Sequence, residues 1–352
     1  MRSVADQLHD LGVDFDVFSF NGFNPKSAWS AFCSSLYVNR EISLTELLVR
    51  KHYDVVNMLE DTGPAPYSGN LWLERAGYEG AIVCVSQNSI HKMQPEHFAH
   101  VYIACSQASR DSMARFVSKP IRIIHNGVDT ARFYPRPVRK PPRPILGWVG
   151  RATDLKQKDV FGFLHLAAAL AEEQYDFRIV DAGGAAEMLR LSDWFGARVR
   201  YDEALEQEQL TEFYCEIAAS GGALVSTSAY EGLPFVLLEA SACHCPVIAP
   251  RAPGLEYLVD GETALLYDRM DGLIGAKRCV RQLSSENVRR RLADRGKRAI
   301  DECYNSRIMA KGYLQAYHDA VLMAAAGSRR AVWKKMRGAV MAAGIRAKRL
   351  LR

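Results

Sequence analysis

Two series of short apolar runs, each alternating with helix-period segments, extend along most of the 352-residue chain and constrain its fold more than any other feature. This alternation is typical of βα units with parallel strands. A segment with five prolines and four basic residues, YPRPVRKPPRP at 134–144, separates the two series. Proline lacks the backbone N–H that helices and central strands need, so this segment predicts a linker. The sequence therefore predicts two doubly wound α/β domains that face a cleft.

We expect the first domain to cover residues 1–134, the linker 135–144 and the second domain 145–305. A late helical pattern at 306–326 is expected to cross back and complete the first domain, ahead of a tail at 328–352. The predicted strands lie at 15–20, 54–59, 81–85, 101–105 and 121–125 in the first series, and at 145–149, 177–180, 199–201, 223–226, 246–249 and 264–267 in the second.

The start of the chain departs from a doubly wound domain. A helix-like segment at 4–11 comes first, where a strand and a Gly-rich turn would ordinarily precede it. Three explanations are open: the natural start lies upstream, the first sheet is built differently, or contacts to a ligand at that turn are reduced.

The composition is that of an ordinary globular protein, with 48% hydrophobic and 24% charged residues. No run approaches the ~18 apolar residues of a membrane-spanning helix, and we expect no signal peptide. The chain has eight cysteines and no N-x-[ST] sequon. Both features favour a reducing, cytoplasmic location over a disulfide-rich secreted scaffold.

The net charge of +5 is divided unevenly. Nine of the 45 Lys and Arg residues lie in the last 25 positions, so the remaining chain has 36 basic against 40 acidic side chains, a net charge of −4. The tail mixes its cations with Val, Trp, Met, Ile and Leu, and as a helix it could contact an anionic membrane surface. A solvated tail or a packed helix remains the alternative, and no base-reading motif indicates nucleic acid.

Several well-known motifs are missing from the sequence. It contains no G-x-G-x-x-G, no ATPase-type phosphate loop, no H-E-x-x-H, no C-x-x-C and no G-x-S-x-G. Cys243, His244 and Cys245 are adjacent, but adjacent side chains diverge and no second ligand pair is evident. We therefore expect no metal site and no bound cofactor.

The stretch STSAYEGLPFVLLEASACHCPVIAP at 226–250 carries the strongest chemical signal. It follows an apolar strand, and open α/β sheets bind ligands at the carboxyl ends of their strands. A turn at Gly232 and Leu233 leads into a helix whose N-terminal N–H groups can hold a diphosphate. Glu231 and Glu239 could accept hydrogen bonds from two sets of hydroxyls, as in a sugar and a ribose; ordinary helix acids are the alternative.

This E-x7-E stretch resembles the signature of retaining glycosyltransferases of family 4, which have the GT-B fold. Four further segments resemble family elements in the expected order: IIHNGVDTARF at 123–133, VGR at 149–151 followed by Lys156, VDAGG at 180–184, and APGLEYLVDG at 252–261. A late helix at 306–326 resembles the one that crosses back to the first domain. The resemblance implies a nucleoside-diphosphate sugar as donor and no metal ion.

The resemblance also implies roles for single residues. Arg151 and Lys156 match the basic pair on the donor diphosphate, where fixed cations stabilise the leaving group. Glu231 matches the position that contacts the donor sugar and supports charge at the anomeric carbon. Glu239 matches the position that binds the ribose hydroxyls.

The remaining donor contacts are expected from Gly232, Leu233 and the Gly-rich turn at Gly183. Lys158 is an alternative to Lys156, since it lies two residues further along, and Gln157 replaces the Gly usual after the family lysine. His91 follows a first-domain strand and is an acceptor-side candidate; an ordinary loop histidine is the alternative.

The sequence thus predicts a retaining, metal-independent glycosyltransferase that acts on a glycan or lipid-linked acceptor in cell-surface polysaccharide or glycolipid synthesis. The front-face mechanism assigned to that family requires no strong general base. A truncated or inactive sugar-nucleotide binding module is the main alternative, and a GT-B sugar-nucleotide epimerase is a second.

Overall fold

The structure is a computed structural model. It describes residues 7–19, 35–38, 44–59, 73, 77–87, 99–184 and 199–327. His91 and the tail at 328–352 lie outside the described residues.

The first domain consists of parallel strands with helices between them. Its elements are β1 (Asp16–Ser19), β2 (Ser35–Val38), α1 (Leu44–Arg50), β3 (Val55–Leu59), β4 (Ala81–Ser86), β5 (Val101–Ala104), α2 (Gln107–Met113) and β6 (Ile121–Ile123). Strands β3, β4, β5 and β6 form one parallel sheet in that order, and β1 pairs in parallel with β2 alone in the part of the chain described. The apolar pattern of the sequence predicts this helix at residues 110–116. Helix α2 begins three residues earlier, because the Ser106 hydroxyl caps it by accepting the Ser109 N–H at 3.1 Å.

The second domain contains a six-stranded parallel sheet. Its elements are β7 (Ile145–Gly150), α3 (Val160–Ala169), β8 (Asp176–Asp181), β9 (Val199–Glu203), α4 (Gln207–Ser220), β10 (Ala223–Val225), α5 (Phe235–Ala242), β11 (Val247–Pro250), β12 (Leu265–Tyr267), a 3₁₀ turn (Arg269–Asp271), α6 (Gly272–Gln282) and α7 (Glu286–Cys303). The strand order is β12-β11-β10-β7-β8-β9. The eleven strands predicted from the sequence therefore all form, and the predicted pair of parallel α/β domains is confirmed.

The order of the second sheet reverses between β7 and β10. From β7 the chain moves outward through β8 and β9, then returns to the other side of β7 and continues through β10, β11 and β12. The helices that follow β7 and β10 must lie on opposite faces of the sheet, which opens a crevice at the carboxyl ends of these two strands. This reversal fixes where a ligand can enter the second domain.

Apolar side chains bury both faces of each main sheet. One cluster of the second domain centres on Trp148, Phe163 and Phe177, and the opposite cluster on Phe213, Tyr214 and Leu238. Strands buried on both faces need nearly continuous apolar sequence, which explains the short apolar runs.

A last helix, α8 at residues 306–327, packs on the first sheet. Its residues Met309, Tyr313 and Ala316 share a core cluster with Val83 and Ile103 of β4 and β5. A hydrogen bond from Asn57 Nδ2 to the Tyr317 hydroxyl at 2.8 Å adds a polar contact to β3. The end of the second series therefore stabilises the first domain.

The two domains meet beside the crevice. Asn126 Nδ2 donates to the carbonyl of Leu233 at 2.7 Å. A Cβ atom placed on Gly232 would lie 1.8 Å from the carbonyl oxygen of Gln87, which follows β4, and 3.1 Å from the Cys105 sulfur. Only glycine lets the turn after β10 approach the first sheet this closely.

Candidate functional site

Arg151 and Glu231 follow the two strands that flank the crevice. Arg151 comes directly after β7, and Glu231 follows β10 in the turn that leads to α5. Because β7 and β10 are paired in parallel, their carboxyl ends lie at the same edge of the sheet. The tertiary structure thus brings to one edge two residues that are 80 positions apart in the sequence.

Arg151 is open to solvent. Its side chain is 57% exposed, and Nη2 lies 3.2 Å from Oδ2 of Asp154, three residues along the same loop. An exposed pair of this kind stabilises the protein by at most about 1 kcal/mol. The guanidinium can therefore turn toward an anion in the crevice at little cost.

Glu231 is buried and bound on both oxygens. Only 5% of the residue is exposed. Lys158 Nζ donates to Oε1 at 2.6 Å, and Gln157 Nε2 donates to Oε2 at 3.2 Å. Burial of a carboxylate without such partners would lower the stability of the protein by several kcal/mol. Lys158 and Gln157 therefore allow Glu231 to lie inside the crevice.

Lys158, rather than Lys156, reaches Glu231. The Lys158 side chain is 15% exposed and forms the ion pair, whereas Lys156 lies on the exposed side of the turn over residues 155–158. The structure therefore does not bring Lys156 to Glu231. Gln157, which stands where the related signature has a glycine, supplies the second hydrogen bond to Glu231.

Hydrogen bonds hold the loop after β7 against the segment that follows β10. The hydroxyl of Thr227 lies 2.8 Å from the carbonyls of both Lys158 and Asp159, and Ala229 N–H donates to the carbonyl of Gln157 at 2.7 Å. Trp148 Nε1 donates to the same hydroxyl at 3.0 Å. These bonds fix the loop after β7 to the loop after β10.

We expect Lys158→Met to lower the free energy of unfolding by about 3 kcal/mol, because it leaves the Glu231 carboxylate buried without its cation. Lys156→Met is the matched control and should change stability by no more than about 0.5 kcal/mol, since Lys156 is exposed. Urea unfolding of both variants measures the difference. Equal losses in the two variants would contradict the role given to the ion pair.

Glu239 lies on the fifth position of α5 and faces α4. The Tyr214 hydroxyl donates to its Oε2 at 3.3 Å. Burial raises the pKa of the Glu239 carboxyl from its ordinary 4.5 to about 7, and the hydrogen bond from Tyr214 opposes that rise. The Glu239 carboxyl, with a pKa of about 7, thus changes charge near neutral pH.

The two turns expected to contact the donor through backbone N–H groups differ in whether those groups already have partners. Gly232 and Leu233 form the turn before α5, whose first intrahelical bond runs from Leu238 N–H to the Pro234 carbonyl. The N–H groups ahead of that bond have no partner within the helix. Gly183, in contrast, already donates its N–H to Asp181 Oδ1 at 2.7 Å.

A small cavity lies at this edge of the sheet. Lys158 and Glu231 form its charged lining, and Trp148, Leu224 and Leu237 are among its apolar walls. Within the described ranges, no group of three His, Cys, Asp or Glu side chains is arranged to hold a metal ion.

Sequence reasoning missed two residues of this edge. Tyr214 shows no local signal, because its contact with Glu239 depends on how α4 packs against α5. Asp181 has a sequence signal, because it is an acidic residue at the end of an apolar strand. In the structure it is 1% exposed.

Comparison with known proteins shows the fold of the chain and a family match in its second domain. Sucrose-phosphate synthase from Thermosynechococcus elongatus superposes with a TM-score of 0.71 at 22% identity, over 90% of this chain and 91% of that one. Anabaena HepE, solved in complex with UDP-glucose, gives 0.70 at 16% identity, over 89% and 94%. Two parallel-sheet domains in this arrangement define the GT-B fold of glycosyltransferases. Residues 143–284, which lie almost wholly in the second domain, match the family described as "Glycosyl transferases group 1".

The curated relatives are matched over part of their length. Alpha-maltose-1-phosphate synthase of Mycobacterium tuberculosis is 33% identical over 198 residues, which cover 49% of this chain and 50% of that protein. MMP alpha-(1->4)-mannosyltransferase of Mycolicibacterium hassiacum is 29% identical over 234 residues, or 63% and 54%. The chain therefore spans about half the length of the curated relatives it matches.

Proposed function

We propose that this protein is a retaining glycosyltransferase of family 4 that moves a sugar from a nucleoside-diphosphate sugar to a glycan or lipid-linked acceptor. The observation that carries the proposal is the pairing of β7 with β10, which sets Arg151 and Glu231 at one edge of the second sheet. A cation and a carboxylate at neighbouring strand ends suit a donor that carries negative charge on one side and a sugar on the other.

The chemistry needs both charges. When the bond between the sugar and the β-phosphate breaks, negative charge develops on the leaving diphosphate and positive charge at the anomeric carbon. Arg151 offers a planar fork to the phosphate oxygens, and the exposed turn at Lys156 offers a second cation. Glu231 accepts hydrogen bonds from sugar hydroxyls and lies on the side where positive charge develops.

Fixed cations can stabilise the leaving group by themselves, which supports a reaction without a metal ion. In the retaining mechanism proposed here, the acceptor hydroxyl attacks from the face that the diphosphate leaves. The leaving phosphate then takes the acceptor proton, so the site needs no separate general base. Lys158 contributes by holding Glu231 in place rather than by meeting the diphosphate.

The other predicted donor contacts are assigned in the same way. Glu239 binds the ribose hydroxyls, and the N–H groups of the turn at Gly232 and Leu233, which lie ahead of the first intrahelical bond, bind the diphosphate or the sugar. Gly183 acts by allowing close packing of its turn, since its N–H is already bonded to Asp181. His91 remains an acceptor-side prediction.

A panel of UDP-glucose, GDP-mannose and ADP-glucose tests the proposal by calorimetric titration and by slow hydrolysis of the donor. We expect one nucleotide sugar to bind and to be hydrolysed, and Arg151→Ala and Glu231→Ala to weaken binding or hydrolysis. Binding without hydrolysis or transfer would favour an inactive binding module, and conversion of the sugar to its epimer would favour an epimerase. Absence of binding to every donor would overturn the enzyme assignment.

Donor affinity should rise with pH up to about 7 and then level off. Ribose hydroxyls bind best to an ionised Glu239, whose pKa of about 7 in the free protein means that binding must displace a proton below that pH. The change should approach tenfold per pH unit near pH 5.5 and fall to about threefold per unit at about pH 7. Titration with UDP-glucose measures it, because that diphosphate diester has no titrating proton in this range.

Glu239→Gln is the control for this pH dependence, and its donor affinity should not change with pH.

The stability of the free protein should change with pH in the opposite direction to donor affinity. The raised pKa of Glu239 adds to the free energy of unfolding, fully below a pH of about 4.5, and this contribution is lost as the pH rises through about 7. A donor affinity that is independent of pH in the unmodified protein would contradict the assignment of Glu239 to the ribose.

The basic tail and the cysteines support a working place at the cytoplasmic face of a membrane. Seven cysteines, all of those within the described residues, are free thiols, as expected in a reducing compartment. No helix in the described ranges is long and apolar enough to cross a membrane. Removal of residues 328–352 should abolish binding to vesicles that contain anionic lipid; retained binding would show that the tail is not the contact.

A further inference from the structure

Asp181 links three segments at the carboxyl edge of the second sheet. It is the last residue of β8 and is 1% exposed. Its Oδ1 accepts the N–H of Ala152 at 2.8 Å and the N–H of Gly183 at 2.7 Å, and its Oδ2 accepts the Tyr201 hydroxyl at 3.1 Å. One carboxylate therefore joins the loop after β7, the turn after β8 and strand β9.

Two of these three hydrogen bonds come from backbone N–H groups, and the third comes from the Tyr201 hydroxyl. A buried carboxylate and buried N–H groups each cost about 1–3 kcal/mol when left unpaired, so the three groups favour one joint arrangement. Ala182 N–H also donates to the carbonyl of Gly150 at 3.0 Å. Two hydrogen bonds, from Ala152 to Asp181 and from Ala182 to Gly150, thus lie on either side of Arg151 in the sequence and fix its backbone.

Gly183 brings the turn into contact with the same loop. A Cβ atom on Gly183 would lie 2.9 Å from Thr153 Oγ1 and 3.4 Å from the Cα atom of Arg151. A larger residue would push the two loops apart. The turn that Asp181 holds therefore packs directly against the Arg151 backbone.

We propose that Asp181 is a positioning residue that fixes the backbone of Arg151, so that its long, exposed side chain starts from a defined point at the crevice. This inference rests on the proposed function, in which Arg151 binds the donor diphosphate. A flexible side chain loses less entropy on binding when its Cα atom is already held.

The charge of Asp181 and its positioning role predict opposite changes in donor affinity when the residue is replaced. A carboxylate near a diphosphate site repels the donor, so its removal would tighten binding if charge were its main influence. Loss of positioning weakens binding instead. Asp181→Asn keeps an oxygen for both N–H groups and offers its amide to the Tyr201 hydroxyl, while it removes the charge.

The experiment measures affinity for UDP-glucose, GDP-mannose and ADP-glucose in Asp181→Ala, Asp181→Asn, Arg151→Ala and the double variant Arg151→Ala/Asp181→Ala. We expect Asp181→Ala to weaken donor binding about 10- to 100-fold and Asp181→Asn to stay within about threefold of the unmodified protein. In the Arg151→Ala background, the same Asp181→Ala change should weaken binding by less than about threefold. Equal losses in both backgrounds, or equal losses for Ala and Asn, would overturn the proposal.

Asp202→Ala is the control for a general loss of stability. Asp202 lies on β9 and pairs with Arg178 at 2.9 Å, so its removal should lower the unfolding midpoint without changing donor affinity. A parallel fall in donor affinity would show that strand destabilisation alone explains the Asp181 result.

Amide hydrogen exchange separates this inference from the proposed function. Exchange at Ala152 and Gly183 should accelerate at least tenfold in Asp181→Ala and remain slow in Asp181→Asn, whether or not any donor binds. Unchanged protection in Asp181→Ala would overturn the positioning role. Faster exchange together with no donor binding to the unmodified protein would support the positioning and reject the donor assignment.

Discussion

Glu231→Gln should lower the rate constant of sugar transfer about 10²- to 10³-fold while donor affinity changes little. The amide keeps the shape of the side chain, and its oxygen can still accept from Lys158, which lies 2.6 Å from Oε1 in the unmodified protein. It loses the negative charge that stabilises positive charge at the anomeric carbon. The effect therefore falls on the transition state, and steady-state kinetics with the donor identified by the titration panel will measure it.

Glu256→Gln is the matched control for this variant. Glu256 is exposed, and its Oε1 accepts the Gly254 N–H at 2.9 Å in the loop that packs on the Glu231 backbone. Its change to an amide should leave kcat within about threefold, since surface substitutions seldom have larger effects. A comparable loss of kcat in both variants, or a loss confined to donor affinity, would argue against a charge role for Glu231.

Gly232→Ala should destabilise the chain by at least 3 kcal/mol and abolish transfer. The added methyl group would lie 1.8 Å from the Gln87 carbonyl oxygen, which is backbone and cannot turn aside. Either the first sheet or the turn after β10 must move, and overpacking of this kind costs 1–3 kcal/mol even where side chains can adjust. The movement would displace the turn that carries Glu231, and thermal unfolding together with a transfer assay will detect it.

Gly296→Ala in α7 is the control for the added methyl group. Its Cβ atom would lie 3.5 Å or more from its nearest neighbours, in ordinary contact, and alanine favours the helix by up to about 1 kcal/mol. We expect unchanged or higher stability and full activity. If Gly232→Ala were equally stable and active, the two domains could not meet at that glycine.

Local patterns were sufficient to predict the parallel α/β class, although strand β2 (Ser35–Val38) was not among the predicted strands. Continuous apolar runs such as 145–149 can be satisfied only by strands buried on both faces, and the prolines at 135–144 can join domains but cannot lie within a central strand. Helix α2 is the instructive difference, because its start depends on the Ser106 cap and not on apolar spacing. Capping is a local effect that a search for apolar periodicity does not detect.

The candidate site was predicted in part. The signature around Glu231 and the position of Arg151 could be recognised from residue order. Which of Lys156 and Lys158 pairs with Glu231 could not be recognised, because both are lysines in one turn and only the path of the loop decides it. That path depends on hydrogen bonds from Thr227 and Ala229, some 70 residues further along the chain.

The sequence by itself determined the parallel α/β class and predicted the linker and the donor chemistry, because each of these inferences depends on residue type and on neighbours within a few positions. Only the tertiary structure decided that Lys158 is the partner of Glu231, that Asp181 holds the loop of Arg151, and that Gly232 lies at a close contact between the domains. These three features join segments from 29 residues apart, as for Ala152 and Asp181, to well over 70. Contacts at such separations are set by the order of strands in the sheet, and no local pattern of residues encodes that order.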